Sequence, residues 1–485
     1  MDLAAAASKS AYLDGLRGVM AFIVCIHHWT MLVDFYKAKA FVDANSYPIA
    51  ILWNGRIAVL TFYILSGRVL ASSILRSVRG QEDKLASAFL RRPFRLFLPA
   101  LAATLCSYVV WRLGLYNNAA TPGSVLWSAY FQIFFPHQRR TYSLRAALTG
   151  VVKLGVVAKQ LDYDFPGGVL WSLSEEFFGS YFVYILSAIT TAIPEERQIV
   201  FGALITLWHF CLGHFTGLFS IGYFFGLLRH HHLLTTRRMT VPLRLILCFI
   251  VLLINARMLH TIFPFSTFRH VLTATRQFFD IEHSAQTTYG DPTEDLQYVI
   301  ALVCFMYMVE TDILTQKLLS MPAVTFLGRV SFAMYLIHPI IFGVVICTMS
   351  IWIPPLKLAD STVMILSLPI FMLAVSFLLV VSWYFTVWID ESAVKIAASI
   401  SRAFLSPSFT TSFTYSFNTP ALATTSFSHV GKLAFFAFGK SVIVFSTELK
   451  RLVGVFPNPS NRLRPIQPFS SEENMGIDLM YHDRQ

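Results

Sequence analysis

The sequence has few charged residues for its length. Asp, Glu, Lys and Arg together make up 13% of 485 residues, about half the share that soluble globular domains carry. Hydrophobic residues reach 55%, and phenylalanine alone occurs 44 times. A single soluble core stops growing at roughly 250–300 residues. The composition therefore excludes an ordinary soluble domain and indicates a polytopic membrane protein whose main partner is the lipid bilayer.

The sequence also lacks the patterns of disulfide, metal and secretory segments. Its six cysteines lie apart within apolar runs, which is typical of small buried side chains rather than of disulfides or zinc ligands. The run His230–His232 has no carboxylate or cysteine at ligand spacing, so we predict no metal site. No apolar segment with a small-residue cleavage site precedes residue 11, so we expect no cleaved signal peptide.

The net charge of +11 does not indicate a nucleic-acid partner, because the basic residues form short clusters between apolar runs. That pattern is typical of loops held on the cytoplasmic side. The arginine-rich segments are 76–95 and 229–244, and the segment 263–295 is acidic. With a cytoplasmic N-terminus, ten or twelve spans place both basic segments inside and the acidic one outside. We therefore predict a multi-pass protein of an endomembrane or the plasma membrane.

Apolar runs near the length of about 20 residues that crosses a bilayer predict an all-α transmembrane helix bundle with about ten spans, or up to twelve. A weaker pair of runs lies near 124–136 and 146–158. The main runs are 17–36, 56–75, 94–113, 169–191, 198–214, 216–229, 243–262, 296–315, 326–350 and 362–389.

The chain changes character near residue 395. Residues 406–428 are rich in Ser, Thr, Phe and Pro, which is typical of a low-complexity linker. We therefore divide the chain into a transmembrane domain, residues 1–395, and a tail, residues 396–485. An apolar stretch near 433–448 is interrupted by Lys440, which favours an interfacial helix over a further span.

Ionisable residues inside a span are costly, so they are the first candidates for chemistry. In the first span, Arg17 and His28 are eleven residues apart. They would share one helix face, about 20° apart around the axis and about 16 Å apart along it. A neutral imidazole at that depth can accept a proton from a hydroxyl group. The alternative is a buried histidine whose only role is to bond a neighbouring helix.

Two further charged pairs stand at helix starts. Of Glu175 and Glu176, one would favour the positive end of a helix dipole, and the other could orient an intramembrane histidine. Arg92 and Arg95 are three residues apart and would be neighbours on one helix face, where two guanidinium groups suit a phosphate-bearing ligand. The alternatives are a capping acid pair and a basic anchor at the membrane surface.

Two other polar residues lie inside spans. Arg68 needs an internal partner, and we expect an acid such as Glu176 or backbone carbonyls that line a cavity. His338 precedes Pro339, and one interpretation is that it only satisfies the backbone groups that this proline frees.

These segments, in this order, resemble the acyltransferase 3 family from about residue 11 to residue 394. In the family's pattern, a histidine stands eleven positions after an arginine, which selects His28, and a glutamate stands five after a tryptophan, which selects Glu176. The segment after Glu176 is similar to the fungal branch, whose members often serve secondary metabolism. Arg68 and Ser392 depart from the pattern, which usually has an apolar or aromatic residue and a proline there. The matching segments are Tyr12–Gly18 with His27 and His28, Phe62–Gly67, Arg92 and Arg95 with Pro99, Trp171–Ser180, Phe326–Pro339 and Trp388–Glu391.

The resemblance implies a membrane-bound O-acyltransferase. It would transfer an acyl group, with acetyl favoured, from acyl-CoA to a hydroxyl of a small metabolite, sugar, glycan or lipid. It implies His28 as general base or acyl relay with Glu176 beside it, and Arg17, Arg92 and Arg95 as the residues that bind the CoA phosphates. Acyl-CoA would be a co-substrate, with no permanently bound cofactor or metal. The alternatives are a polytopic secondary transporter and a non-catalytic membrane protein.

Overall fold

The protein is a bundle of helices, seen in a computed structural model. The structure describes residues 11–33, 52–76, 81–116, 144–155, 169–212, 216–255, 292–353 and 360–405. Regular structure in these ranges is helical, apart from one isolated bridge between Arg237 and Asp312. The helices are α1 (Ala11–Leu32), α2 (Gly55–Leu75), α3 (Gln81–Arg112), α4 (Leu144–Lys153), α5 (Trp171–Ala192), α6 (Glu195–Leu212), α7 (Thr216–His230), α8 (Val241–Asn255), α9 (Pro292–Thr311), α10 (Ile313–Leu319), α11 (Pro322–Trp352), α12 (Asp360–Phe385) and α13 (Glu391–Leu405).

The predicted all-helical fold is confirmed, whereas the predicted count of ten to twelve spans is not. Five helical segments of the described chain are long and apolar enough to cross a membrane. Each predicted main run overlaps a helix, but several of these helices are short. The helices α7 and α8 have 15 residues each, about 22 Å, against a hydrocarbon core of about 30 Å. The five segments are Ala11–Leu32, Gly55–Leu75, Asp83–Arg112, Pro322–Trp352 and Ile365–Leu405.

Small residues allow the central helices to approach one another closely. A Cβ atom on Gly18 of α1 would lie 2.3 Å from the backbone nitrogen of Gly328 on α11. A Cβ atom on Gly222 of α7 would lie 1.9 Å from the carbonyl oxygen of Ile64 on α2. Helix contacts inside membranes depend on such small residues, because lipid gives little hydrophobic drive for helix association. The helices α1, α2, α7 and α11 thus form the tightly packed centre.

A buried glutamate joins several helix ends on one side of the bundle. Glu310, near the end of α9, accepts hydrogen bonds from Tyr12 at 3.1 Å and from the Nε of Arg68 at 2.7 Å. Its carbonyl oxygen accepts a hydrogen bond from Arg229 at 3.2 Å. The start of α1, the last part of α2 and the arginine-rich segment 229–244 therefore lie at the same end of the bundle. We call this the N-terminal end, after the start of α1.

The short connection from α9 to α10 is fixed by Asp312. Its carboxylate caps α10 by accepting a hydrogen bond from the Thr315 N–H at 3.0 Å. It also accepts hydrogen bonds from the Met239 N–H and from Arg244. Burial alone would raise the pKa of this carboxyl, but the hydrogen bonds outweigh it and hold the pKa below its usual range. The segment between α7 and α8 is thereby anchored to the end of α9.

Three predicted features fall at or beyond the limits of the description. The predicted boundary after residue 395 falls within α13, which packs against α3. The predicted interfacial helix near 433–448 and the weak run near 124–136 lie outside the described residues. Of the weak run 146–158, the part up to residue 155 is described and contains most of α4.

Candidate active site

Two histidines from different helices meet inside the bundle. The Nδ1 atom of His28 on α1 lies 2.6 Å from the Nε2 atom of His338 on α11, and the two rings are stacked with centroids 4.9 Å apart. His338 is fully buried. His28 keeps a partly accessible surface, while the packed helix α11 holds its partner.

The hydrogen bonds of His338 determine which nitrogen of His28 carries a lone pair. The Nδ1 atom of His338 lies 3.1 Å from the carbonyl oxygen of Met334, and because a carbonyl can only accept, this Nδ1 carries the proton. In a neutral His338 the Nε2 atom then accepts, so Nδ1 of His28 must donate to it. The lone pair of a neutral His28 is therefore on Nε2, which is the arrangement a general base needs.

The histidine pair lies far from the N-terminal end. His28 is about 25 Å along α1 from Ala11 and about 6 Å from Leu32. The Nδ1–H of the neighbouring His27 donates a hydrogen bond to the Trp53 carbonyl at 2.9 Å. Gly55, the first residue of α2, lies against the His27 ring. The pair is thus at the level where α2 begins.

Glu176 lies in a different layer, with an arginine. Its Oε1 atom accepts hydrogen bonds from the Ser66 hydroxyl at 2.5 Å and from the guanidinium of Arg92. Ser66 follows Gly55 by eleven residues on α2, which is about 16 Å along the helix. The structure therefore places Glu176 with Arg92 and Ser66 and does not bring it to His28. The partner that orients His28 is His338 instead.

The three arginines singled out from the sequence come together near this layer. Arg95 lies within electrostatic range of both Arg92 and Arg17, and of Asp390. Its side chain is exposed. No carboxylate among the described residues lies within salt-bridge distance of Arg95. Arg17 bonds Asp14 at 3.2 Å, and Arg92 bonds Glu176, so Arg95 is the guanidinium most available to a ligand.

Asp390 reaches this layer through a local irregularity of the last long helix. Residues Thr386–Asp390 form a π-helical turn between α12 and α13. Such turns are frequent at functional sites, because they rotate the side chains that follow them. The turn falls in the segment Trp388–Glu391 that resembles the family's closing motif. Glu391 bonds Arg329 of α11 at 2.8 Å, which ties the turn to the helix that carries His338.

Arg68 has an internal partner, as predicted, but the acid is different. It forms a buried ion pair with Glu310, with Nε–Oε1 at 2.7 Å and Nη2–Oε2 at 3.1 Å, and it also bonds Ser72. The expectation that named Glu176 as its acid was wrong, because Glu176 is taken by Arg92. This ion pair lies at the N-terminal end, near Tyr12, away from the histidines.

Sequence reasoning missed two of these partners and undervalued a third. Glu310 lies at the end of an apolar run, and its buried acid should have been matched with Arg68, since each needs an opposite charge. Asp390 depends on the π-helical turn, for which the sequence gave no signal. His338 was noticed, but a lone histidine before a proline gave no reason to pair it with His28 310 residues away. In the described ranges no group of three or more His, Cys, Asp or Glu side chains converges as a metal site would need.

The comparison with protein families decides the assignment. A profile described as an acyltransferase domain, that of the acyltransferase 3 family, matches residues 10–387. This chain belongs to the acyltransferase 3 family. The match includes α1 with His28, α5 with Glu176 and α11 with His338, so the histidine pair and the Glu176–Arg92 pair lie inside the family domain. Together with the apolar helices, the assignment indicates an integral membrane acyltransferase.

One curated relative matches a smaller part of this acyltransferase. The O-acetyltransferase PaAT-1 of Phomopsis amygdali is 29% identical over 123 residues, which are 23% of this chain and 24% of the relative. The chain therefore spans about a quarter of the length of the relative in this match. No solved structure matches the chain.

Proposed function

We propose that this membrane O-acyltransferase takes an acyl group, with acetyl favoured, from acyl-CoA and transfers it to a hydroxyl of a small metabolite. The observation that carries the proposal is the hydrogen-bonded pair of His28 and His338, which presents a lone pair on Nε2 of a partly accessible histidine. The fungal relative is an O-acetyltransferase, which supports acetyl as the acyl group. Sugars, glycans and lipids belong to the same class of hydroxyl acceptors.

In the proposed reaction, Nε2 of His28 accepts the hydroxyl proton while the acceptor oxygen attacks the thioester carbonyl. The carbonyl–sulfur bond breaks as the new ester bond forms, and the departing CoA sulfur takes up the proton from His28. His338 holds the ring of His28 and accepts the hydrogen bond from its Nδ1–H throughout. General base catalysis of this kind contributes about 10²–10⁴-fold to the rate.

Arg17, Arg92 and Arg95 lie in the layer of Glu176, which we call the arginine layer. The donor phosphates are proposed to bind there. Arg17 is about 16 Å from His28 along α1, and the exposed Arg95 lies in the same layer as Arg17. A pantetheine arm of similar reach would carry the thioester from these arginines to His28. Glu176 then acts as a positioning residue for Arg92 rather than for the histidine. We propose that the N-terminal end is cytoplasmic, because it carries both arginine-rich segments. The cytoplasm is also where acyl-CoA is made.

The test is the product in cells. Deleting the gene and complementing with wild type or with His28→Ala should give two metabolite profiles that differ by mass spectrometry. Cells that lack the active enzyme should accumulate a compound lighter by one acyl group, and the wild type should restore the acylated form. A transporter would instead change where an unaltered compound is found. Unchanged masses with an altered distribution would therefore refute the acyltransferase proposal for this chain.

A further inference from the structure

An apolar cavity of about 430 Å³ lies between α6, α7, α8 and α9, within the range of volumes that small-molecule sites have. Phe224 and Leu228 of α7 form part of its lining, with Leu247 of α8 and Val303 of α9. Thr206 of α6 also lines it, but its hydroxyl donates a hydrogen bond to the Ser220 carbonyl. Apart from the Cys304 thiol, the lining that remains is hydrocarbon and aromatic.

The cavity is separate from the candidate active site. On α7, Gly222 faces α2, since its missing Cβ would touch Ile64. Phe224 and Leu228 of the lining lie about 160° and 120° around α7 from Gly222, so the cavity is on a different face of α7 from the one that packs on α2. The helices α7 and α2 therefore stand between the cavity and α1, which carries His28.

The cavity opens on the outer surface of the bundle. Val303 is 37% exposed, so the lining is reachable from outside the bundle. On either side of the opening, α6 and α8 present exposed apolar side chains, among them Leu204 and Phe249 at more than half exposure. A groove between two lipid-facing helices is filled by lipid chains in a bilayer, because water has no hydrogen-bond partners there.

Two unpaired arginines lie next to the cavity at the N-terminal end. The side chains of Arg237 and Arg238 are exposed, and among the described residues neither guanidinium makes a hydrogen bond or an ion pair. Arg229 and Arg244 of the same segment, by contrast, bond to carbonyls and to Asp312. The unpaired arginines thus differ from their neighbours, because their guanidinium groups can bind a ligand without breaking a contact within the described part of the protein.

The backbone holds these arginines close to the cavity. The N–H of Arg237 donates to the Thr311 carbonyl at 2.8 Å, and Tyr307, four residues earlier on α9, lines the cavity. That separation is about 6 Å along the helix. Leu234, three residues before Arg237, also lines the cavity. Of the acids near this rim, Asp312 is paired with Arg244, and Glu195 lies 3.7 Å from Nδ1 of His231.

We propose that this cavity is a binding site for an anionic phospholipid, with one acyl chain between α6 and α8 and the phosphate headgroup on Arg237 and Arg238. Charge complementarity identifies the occupant, because each exposed Arg at a membrane surface favours anionic over neutral lipid. With the headgroup phosphate at the rim, the acyl chains of the lipid would lie at the depth of Leu234 and Tyr307. The site is independent of the acyl-transfer reaction.

The experiment is native mass spectrometry of the purified full chain. The protein is titrated with phosphatidylserine and with phosphatidylcholine that carry identical chains. The wild type should bind the first phosphatidylserine about tenfold more tightly than the first phosphatidylcholine. The double variant Arg237→Gln/Arg238→Gln should lose this preference, whereas Lys395→Gln/Arg402→Gln, which removes the same charge from the exposed face of α13, should keep it.

The chain position is tested by filling the cavity. Val303→Trp should reduce binding of both lipids, and Cys304→Phe provides a second variant from the same wall in case the first does not fold. Equal affinity for the two lipids in the wild type would overturn the proposal. It would also be overturned if the α13 control lost the preference as fully as the arginine variant, or if both folded cavity variants bound lipid like the wild type.

Discussion

His338 holds the catalytic candidate His28 in one tautomer. Its Nδ1–H donates to Met334, so its Nε2 is an acceptor that fixes the tautomer of His28. An amide at this position can still offer an acceptor oxygen, whereas an aliphatic side chain cannot. We expect His338→Gln to retain much more activity than His338→Leu, with Leu costing about 10–100-fold in kcat. The measurement is acyl transfer by purified variants.

A purely structural role for His338 would give a different pattern. Leu would then fill the buried site as well as Gln or better, because it buries no polar group. Thermal unfolding of both variants distinguishes the two roles. Equal activity of the two variants, or activity that follows their stability, would contradict the tautomer role.

His28 and its neighbour His27 provide a matched pair of substitutions on one helix. We expect His28→Ala to lower acyl transfer by about 10²–10⁴-fold, the usual contribution of a general base, while the protein still inserts and accumulates. His27 points about 100° away from His28, and it packs against Gly55 and donates to Trp53. His27→Ala should therefore reduce stability more than kcat.

Activity and protein level in membranes check this prediction together. Loss of activity in His27→Ala with a normal protein level, and near-normal activity in His28→Ala, would show that the base has been assigned to the wrong histidine.

The packing of α2 against α9 depends on one ion pair in the bundle. Replacing Arg68 by Met would leave Glu310 buried and, among the described residues, with only Tyr12 to bond its carboxylate. Loss of one partner of a buried pair costs about 3–5 kcal/mol. Adding Glu310→Gln removes the uncompensated charge, so we expect the double variant to unfold at a higher temperature than Arg68→Met alone.

Thermal unfolding in detergent measures the effect, with the two single variants and the double variant compared under one set of conditions. If the double variant is as unstable as the sum of the single changes, the two residues are not coupled and the pair does not hold α2 to α9.

The crossing of α2 and α7 depends on the absence of a side chain at Gly222. A Cβ atom there would lie 1.9 Å from the Ile64 carbonyl oxygen, so Gly222→Ala forces the helices apart and should cost about 1–3 kcal/mol. Gly150 of α4 is the control, since a Cβ there meets nothing within 4 Å. Gly150→Ala should be neutral or stabilising by up to about 1 kcal/mol, because Ala favours the helix. Unfolding midpoints that fall equally for both would contradict this account of the crossing.

For the molecule as a whole, local patterns in the sequence predicted the helices and the family domain. They did not predict the contacts between distant residues. Apolar runs gave the helices, and the motif order gave the family domain, because both are properties of short segments. The eleven-residue spacing placed Arg17 and His28 in two layers about 16 Å apart, and the structure keeps that separation. The partners of His28, Arg68 and Glu176 depend on which helices are neighbours, and no periodicity within one helix contains that information. The predicted count of ten to twelve spans is not confirmed for the same reason. Short apolar helices such as α7 pack against neighbouring helices, and an apolar run in the sequence does not show this.

The two layers of the bundle lead to a prediction about the donor. CoA carries a pyrophosphate and a 3′-phosphate, and guanidinium groups bind such phosphates through paired hydrogen bonds. Replacing Arg92 and Arg95 together by Ala should raise the KM for acyl-CoA more than it lowers kcat, because phosphate contacts persist from ground state to transition state. The double variant also leaves Glu176 without its arginine, so the single variant Arg95→Ala is the sharper test. It should raise KM about tenfold with little change in kcat.

Two further variants, Arg91→Ala and Arg95→Lys, test the same donor site. Arg91 is exposed and bonds the Ser87 carbonyl of its own helix, so Arg91→Ala should leave the KM for acyl-CoA nearly unchanged. Arg95→Lys should restore only part of the affinity, because an ammonium group lacks the planar fork of a guanidinium. In vesicles of known orientation, acyl-CoA should support turnover only from the side of the N-terminal end, to which the arginine layer is nearer than the histidine pair. Turnover with donor supplied only to the opposite end, or an unchanged KM in Arg95→Ala, would place the donor site elsewhere.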